Sequence, residues 1–278
     1  MEFIDFDEIF NKRMAEMLEK HAEEHTEEEW EDLIAKAYRK FGDTVIRKIG
    51  KTPRQYFKEM SDGGLVETLK EYLLQELPVS DFLCEEIESR GVFPELLSLL
   101  EETDEELVHY AINLIGADAS ARKRYAAMLA SDDYDEHIKD AVADALKQCA
   151  DSVLEEMLAL TDTENSAYAL EILSKLKSRD DRAYARLLQA FRESDKKDMP
   201  LYAGYLASYG DERALPYLLE EIEKDVGYIA YQELKYAIEA LGGEYTKQRD
   251  FSSDPEYIAV KKASGGTDIF GMKTEKNN

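Results

Sequence analysis

The sequence predicts an all-α protein, and more narrowly a right-handed α-solenoid of about five helical hairpins preceded by an N-terminal helical region. Three observations point there. Apolar residues recur at helical spacing from Asp5 to Glu244, with no alternating runs between turn dipeptides that would mark strands. The punctuation between those runs has the chemistry of helix starts and stops. From about residue 91 onward the pattern repeats with a period near 30 residues.

The N-terminal region, residues 1–90, divides into helices over Asp5 to Glu24, Glu27 to Phe41, Pro53 to Met60, Gly64 to Leu77 and Asp81 to Ser89. Thr26 with Glu29 forms a capping box before Trp30, and Thr52 precedes Pro53 at a first helical position. Ser80, Ser120, Asp151 and Asp211 stand before further periodic segments as caps. Gly42, Gly91, Gly210 and the pair Gly242-Gly243 follow helical runs, where a left-handed residue ends a helix at little cost. This region does not align with the repeat and reads as a helical bundle or as divergent capping repeats.

In residues 91–244, first (A) helices opening near Phe93, Ser120, Asp151, Asp180 and Asp211 place Leu97, Met128, Leu158, Leu188 and Leu219 at equivalent positions. Second (B) helices lie between them, containing Leu107 to Ile115, Ile138 to Cys149, Ala167 to Leu176, Leu201 to Tyr209 and Ile229 to Leu241. The segment from Asp180 to Leu188 recurs 31 positions later, from Asp211 to Leu219. Each unit buries one face and needs a neighbour to cover it.

The string Gly210-Asp211-Glu212-Arg213-Ala214-Leu215-Pro216-Tyr217-Leu218-Leu219 resembles the opening of a HEAT-like repeat, of the type also found in phycobilisome lyases. The resemblance covers about residues 91 to 244. It implies a superhelix whose B helices line the concave surface. It also implies two enzyme alternatives, a bilin-lyase-like activity and a DNA-glycosylase-like one. The second needs a basic concave face, and Asp140 and Asp144 stand where Lys or Arg would be required.

Charge bounds the partner. With 61 acidic and 35 basic residues the formal net charge is -26, so the field repels phosphate backbones and anionic lipid. The expectation is no nucleic acid and no membrane. A protein or peptide is the expected partner, and a basic surface is the complement this charge favours. Residues 91 to 160 alone hold 16 acids against five bases. Much of that acid falls at the A-to-B turns, in Glu101 to Glu106, Asp132 to Glu136, Asp162 with Glu164, and Glu193 to Asp198. It reads either as an acidic edge that binds a basic partner or as carboxylates placed for the dipoles of the B helices.

Cys84 and Cys149 are far apart in sequence and in no metal-type spacing, which indicates neither a disulfide framework nor a zinc knuckle. The first ten residues are acidic and mixed rather than basic then apolar, and no apolar run reaches the ~20 residues of a membrane span, so a cytoplasmic location is expected. Beyond Glu244 the periodicity lapses, and residues 245–278 read as a largely disordered tail, with Phe251 and Tyr257 to Val260 able to dock on the last repeat.

The sharpest chemical motif is His21-Ala22-Glu23-Glu24-His25. Two imidazoles at i and i+4 share a helix face, a spacing that suits a transition metal, so His21 and His25 are the metal candidates. They sit in a Glu-rich helix end that also reads as a solvated charged face. No complete catalytic constellation is present and no cofactor is expected, so the reading is a non-enzymatic binding scaffold. The residues that fall off the apolar stripes of the B helices are its candidates: His109, Tyr110 and Asn113; Asp140 and Asp144; Glu171 and Lys175; Tyr228, Glu233 and Tyr236. Tyrosines supply contact area and carboxylates supply selectivity. His137, without a nucleophile partner in sequence, reads as structural or exposed.

Overall fold

The computed structural model describes residues 3–21 and 24–263. Among them the protein is all-helical, with sixteen α-helices and short 3-10 helices, and the only β-type pairing is an isolated antiparallel bridge between Ile46 and Lys51. No helix of the described residues is long and apolar enough to cross a membrane.

The first five helices are α1 (Phe6–His21), α2 (Glu27–Phe41), α3 (Pro53–Lys58), α4 (Asp62–Leu74) and α5 (Asp81–Arg90). The capping boxes at Thr26 and Thr52 are both closed. Each hydroxyl accepts from the third helical amide, and the Glu29 or Gln55 side chain accepts from the cap amide. Gly42 departs from expectation, because its backbone is right-handed. A Cβ there would stand 2.6 Å from the Phe82 ring, so glycine is required by the approach of α5.

Ten further helices follow between Phe93 and Ala240, taken in alternation as A and B. The A helices are α6 (Phe93–Leu96), α8 (Arg122–Ala130), α10 (Leu154–Leu160), α12 (Asp181–Glu193) and α14 (Leu215–Ile222). The B helices are α7 (Glu105–Ile115), α9 (Glu136–Lys147), α11 (Ser166–Leu173), α13 (Met199–Tyr209) and α15 (Tyr228–Ala240). Apart from Met128, the equivalent positions of the A helices are not the most buried ones: Leu219 is exposed and Leu97, Leu158 and Leu188 are half-buried, while Leu96, Met157, Leu187 and Leu218, each one residue earlier, are fully buried. Where two consecutive leucines sit on one helix, only one can point to the core, and α8 keeps Met128 there.

The chain forms two compact units, Met1–Tyr125 with Tyr134–Ala145, and Ala126–Asp133 with Leu146–Asn278. The division falls among residues 125–146. In the first unit α3 and α4 pack on α5, and α4 and α6 pack on α7. Arg90 closes one helix end here, donating to the carbonyls of Phe57, Lys58 and Met60 at the C-terminus of α3, where a cation is favoured by the dipole. In the second unit α12 packs on α13, and both α13 and α14 pack on α15.

Two arginines tie successive helix pairs together in the second unit. Asp180 caps α12 through the amides of Arg182 and Ala183, and Arg182 pairs both with Asp180 and, in fork geometry, with Glu155 of α10 at 2.7 and 3.0 Å. One repeat later, buried Asp211 accepts from the amide and guanidinium of Arg213, which also reaches back to Asp181 at 2.8 Å and lies 4.3 Å over the Tyr184 ring. The Asp-x-Arg string thus caps its own helix and ties it to the one before. Asp151 is used differently from the expected cap: its carboxylate accepts from the amides of Lys177 and Ser178, in the turn before α12.

Residues 245–263 are ordered against the last hairpin, and α16 (Pro255–Ala263) packs on α15. The lapse of periodicity there reflects a segment built of caps and rings instead of an amphipathic stripe. Arg249 donates to the carbonyls of Ile222 and Lys224 at the C-terminus of α14. Asp254 and Glu256 accept from the amides of Tyr228 and Ile229 at the N-terminus of α15, which has no capping side chain of its own. Residues 264–278 of the expected tail lie outside the described residues.

Candidate interaction surface

A helix buries one stripe and shows another, and the shown stripes of the B helices carry most of the candidate residues. The buried stripes are Leu107, Ala111 and Ile115 on α7, Ile138, Val142 and Leu146 on α9, Ile172 and Leu173 on α11, and Leu234 and Ile238 on α15.

In the first unit, His109 on α7 stacks on His137 at the start of α9, ring centroids 4.3 Å apart and planes 19° from parallel. Asn113, one turn along α7, holds the His109 Nδ1 at 3.3 Å. Partial burial and then the neighbouring His137 push the His109 pKa down. His137 is exposed, as are Asp140 and Asp144 on the same helix. Tyr110 turns the other way: its hydroxyl lies 3.6 Å from the Cys84 thiol, and burial pushes both pKa values up.

In the second unit the structure links neighbouring B helices. Glu171 on α11 accepts from Lys147 at 2.7 Å, and Lys175, just past α11, donates to Ser208 of α13 at 2.9 Å. Glu233 is half-buried on α15, and Tyr236 is 64% exposed one turn on. Tyr228 is a correction: it is 2% exposed, buried in a ring cluster with Phe251 and Tyr257 of the C-terminal segment at 5.3 and 4.9 Å. Its place on α15 looked outward because the segment that covers it has no helical periodicity.

Sequence reasoning missed two exposed aliphatics, Leu201 on α13 (52%) and Ile229 on α15 (43%). Both had been counted only as members of apolar runs. Met199 and Ala230 line one cavity of about 370 Å³ with Asp195 and Asp225, which makes the N-terminal ends of α13 and α15 neighbours.

The turn carboxylates are engaged inside the protein. Asp104 accepts from the amides of Glu106 and Leu107, Asp135 from that of Ile138, and Asp195 from those of Lys197 and Asp198. Asp162 forms a two-pronged pair with Arg186 at 2.6 and 2.8 Å. Capping of turn and helix amides thus accounts for three of these carboxylates, Asp104, Asp135 and Asp195.

The histidine pair of the motif does not share a helix. α1 ends at His21 and α2 begins at Glu27, and Ala22 and Glu23 lie outside the described residues. His21 Nδ1 is 2.8 Å from Glu24, while His25 lies 3.7 Å from Glu29 and edge-on to Trp30. His25 lies in the turn before α2, outside the described extent of α1. Among the described residues no group of three or more His, Cys, Asp or Glu side chains is arranged to hold a metal ion.

No protein-family model matches this chain, and no curated protein is detectably similar to it.

Proposed function

We propose that this protein is a non-enzymatic binding module, a HEAT-like α-solenoid whose B helices present a recognition face to a protein or peptide. The observation that carries the reading is the exposure of Leu201, Ile229 and Tyr236 on α13 and α15, two helices that pack on each other. Large apolar side chains grouped on neighbouring helices and rimmed by carboxylates are the composition of an interaction site. The alternation of A and B helices and the Asp-x-Arg staples reaching one repeat back support the solenoid.

The test is capture of partners from a host lysate by the intact protein and by two variants, Leu201→Ser with Tyr236→Ala, and Asp140→Ala with Asp144→Ala. Loss of a partner in either variant with unchanged helical circular dichroism supports the module and assigns its face. Identical capture by all three proteins, or turnover of a small molecule abolished by one of the replacements, sinks it.

A further inference from the structure

We propose that the docking of α1 is a pH-sensitive latch, tightened when the carboxylate of Asp7 takes up a proton. The latch is independent of the binding reading above and belongs to the N-terminal end of the first unit.

The apolar stripe of α1 seats the helix: Phe6, Phe10 and Met14 are buried, and the Phe6 ring meets those of Tyr56 and Phe57 on α3 edge-on at 5.3 and 5.4 Å. Asp7, next to Phe6 in the first turn, is drawn half into the protein with it. There it meets α2. The Tyr38 hydroxyl donates to Asp7 Oδ1 at 2.5 Å, and the Tyr38 ring is itself fixed by Phe10, edge-on at 4.9 Å, and by Phe82 of α5, stacked at 4.9 Å. From α4 the Tyr72 hydroxyl holds the entry to α1, donating to the carbonyl of Ile4 at 2.7 Å.

Among the described residues no cation answers this carboxylate. The charges that act on Asp7 have its own sign, Asp5 before α1 and Asp81 at the start of α5, and the phenols of Tyr38 and Tyr72 that face it are kept protonated by burial and by these acids. The cations of the adjoining helices are turned elsewhere: Lys12 to Glu8 at 2.6 Å, Arg13 over the Phe41 ring, and Arg54 to Glu85 and the Phe82 ring. The α1 dipole favours a negative charge in this turn, but Asp5 already supplies one, accepting from the Glu8 amide at 2.7 Å. A carboxylate drawn out of water among other carboxylates favours its neutral form. Burial pushes the Asp7 pKa up from 3.8, the Tyr38 bond opposes it, and Asp5 and Asp81 add to the rise. A carboxyl whose pKa is raised in the docked helix contributes stability that is complete below the undocked value and is lost as pH rises through the docked one. Acid therefore tightens α1, and at neutral pH its apolar stripe holds a charged Asp7 in place at a cost.

The experiment follows amide hydrogen exchange of the full chain from pH 7 to pH 4, corrected for intrinsic exchange at each pH, with the protection of Phe6–His21 read relative to that of α15. In the native chain the protection of α1 rises by about twofold or more as pH falls. Asp7→Asn keeps an acceptor for Tyr38 and removes the charge, so α1 is better protected than in the native chain at pH 7 and its dependence on pH is lost. Tyr38→Phe removes the bond that favours the charged form, so the midpoint of the rise moves to higher pH, which loss of a bond without a titrating Asp7 would not produce. Unchanged helical circular dichroism at pH 7 shows that both variants fold. Protection of α1 that is flat with pH in the native chain, weaker protection at pH 7 in Asp7→Asn than in the native chain, or a midpoint that Tyr38→Phe leaves in place or lowers each overturns the latch.

Discussion

The hydroxyl of Tyr209 closes a two-way bond with the backbone of Asp180, accepting from its amide at 2.8 Å and donating to its carbonyl at 2.9 Å. Tyr209 ends the B helix α13, and Asp180 is the residue that caps the A helix before it. A side chain from the close of one hairpin thus fixes the start of that same hairpin. Tyr209→Phe keeps the ring against Tyr184 and removes both bonds, so it is expected to cost about 1 to 2 kcal/mol of unfolding free energy in urea. No measurable loss would mean that water replaces the hydroxyl at no cost.

Asp211 gives the protein an acid-sensitive staple. Hydrogen bonds from Arg213 pull its pKa from the ordinary 3.8 to about 2, against the opposing effect of burial. A carboxylate depressed in the folded state adds stability above its unfolded pKa, and that stability is lost as pH falls from near 4 through 2. With the Arg213 guanidinium half exposed, the contribution at neutral pH is about 1 to 2 kcal/mol. Unfolding free energies of the native chain and of Asp211→Asn should therefore converge as pH is lowered over that window. Parallel curves would show that Asp211 titrates normally.

His109, stacked on His137, has the opposite chemistry and the same direction of pH dependence. His109 is a base whose folded pKa is lowered, so the unfolded chain takes up its proton more readily and stability falls as pH drops through the ordinary 6.5. Replacing His137 by Ala is expected to move the His109 midpoint up toward 6.5, followed by its imidazole resonances in NMR. An unmoved midpoint would assign the whole shift to burial.

Local signals were legible where the chemistry is local. The capping boxes at Thr26 and Thr52 and the buried stripes of the B helices depend on residues within a turn or two of one another, and the sequence displays them directly. Contacts made across repeats were not. His137 pairs with His109 across 28 positions, close to the repeat period, and superposing the B helices by that period is the signal that would have found it. Tyr228 was misplaced for a related reason: amphipathic spacing tells which face of α15 meets α13 and α14, but not that a later non-periodic segment covers another. Gly42, where a Cβ would stand 2.6 Å from the Phe82 ring, shows the same division. A glycine in a sequence announces a special position, and only the neighbours within 4 Å say whether a turn, a close ring or an empty space explains it.

The carboxylate of Asp254 caps its own helix through the amides of Glu256 and Tyr257 and caps α15 through that of Tyr228. Gly227, before α15, offers no such group, and a side chain on it would collide with Glu256. The ends of the last hairpin are thus completed by residues that follow it. The carbonyls that end α14 and the amides that open α15 are met by Arg249, Asp254 and Glu256, 25 to 27 residues further along the chain, so during synthesis this hairpin gains those bonds only once the later segment has been made.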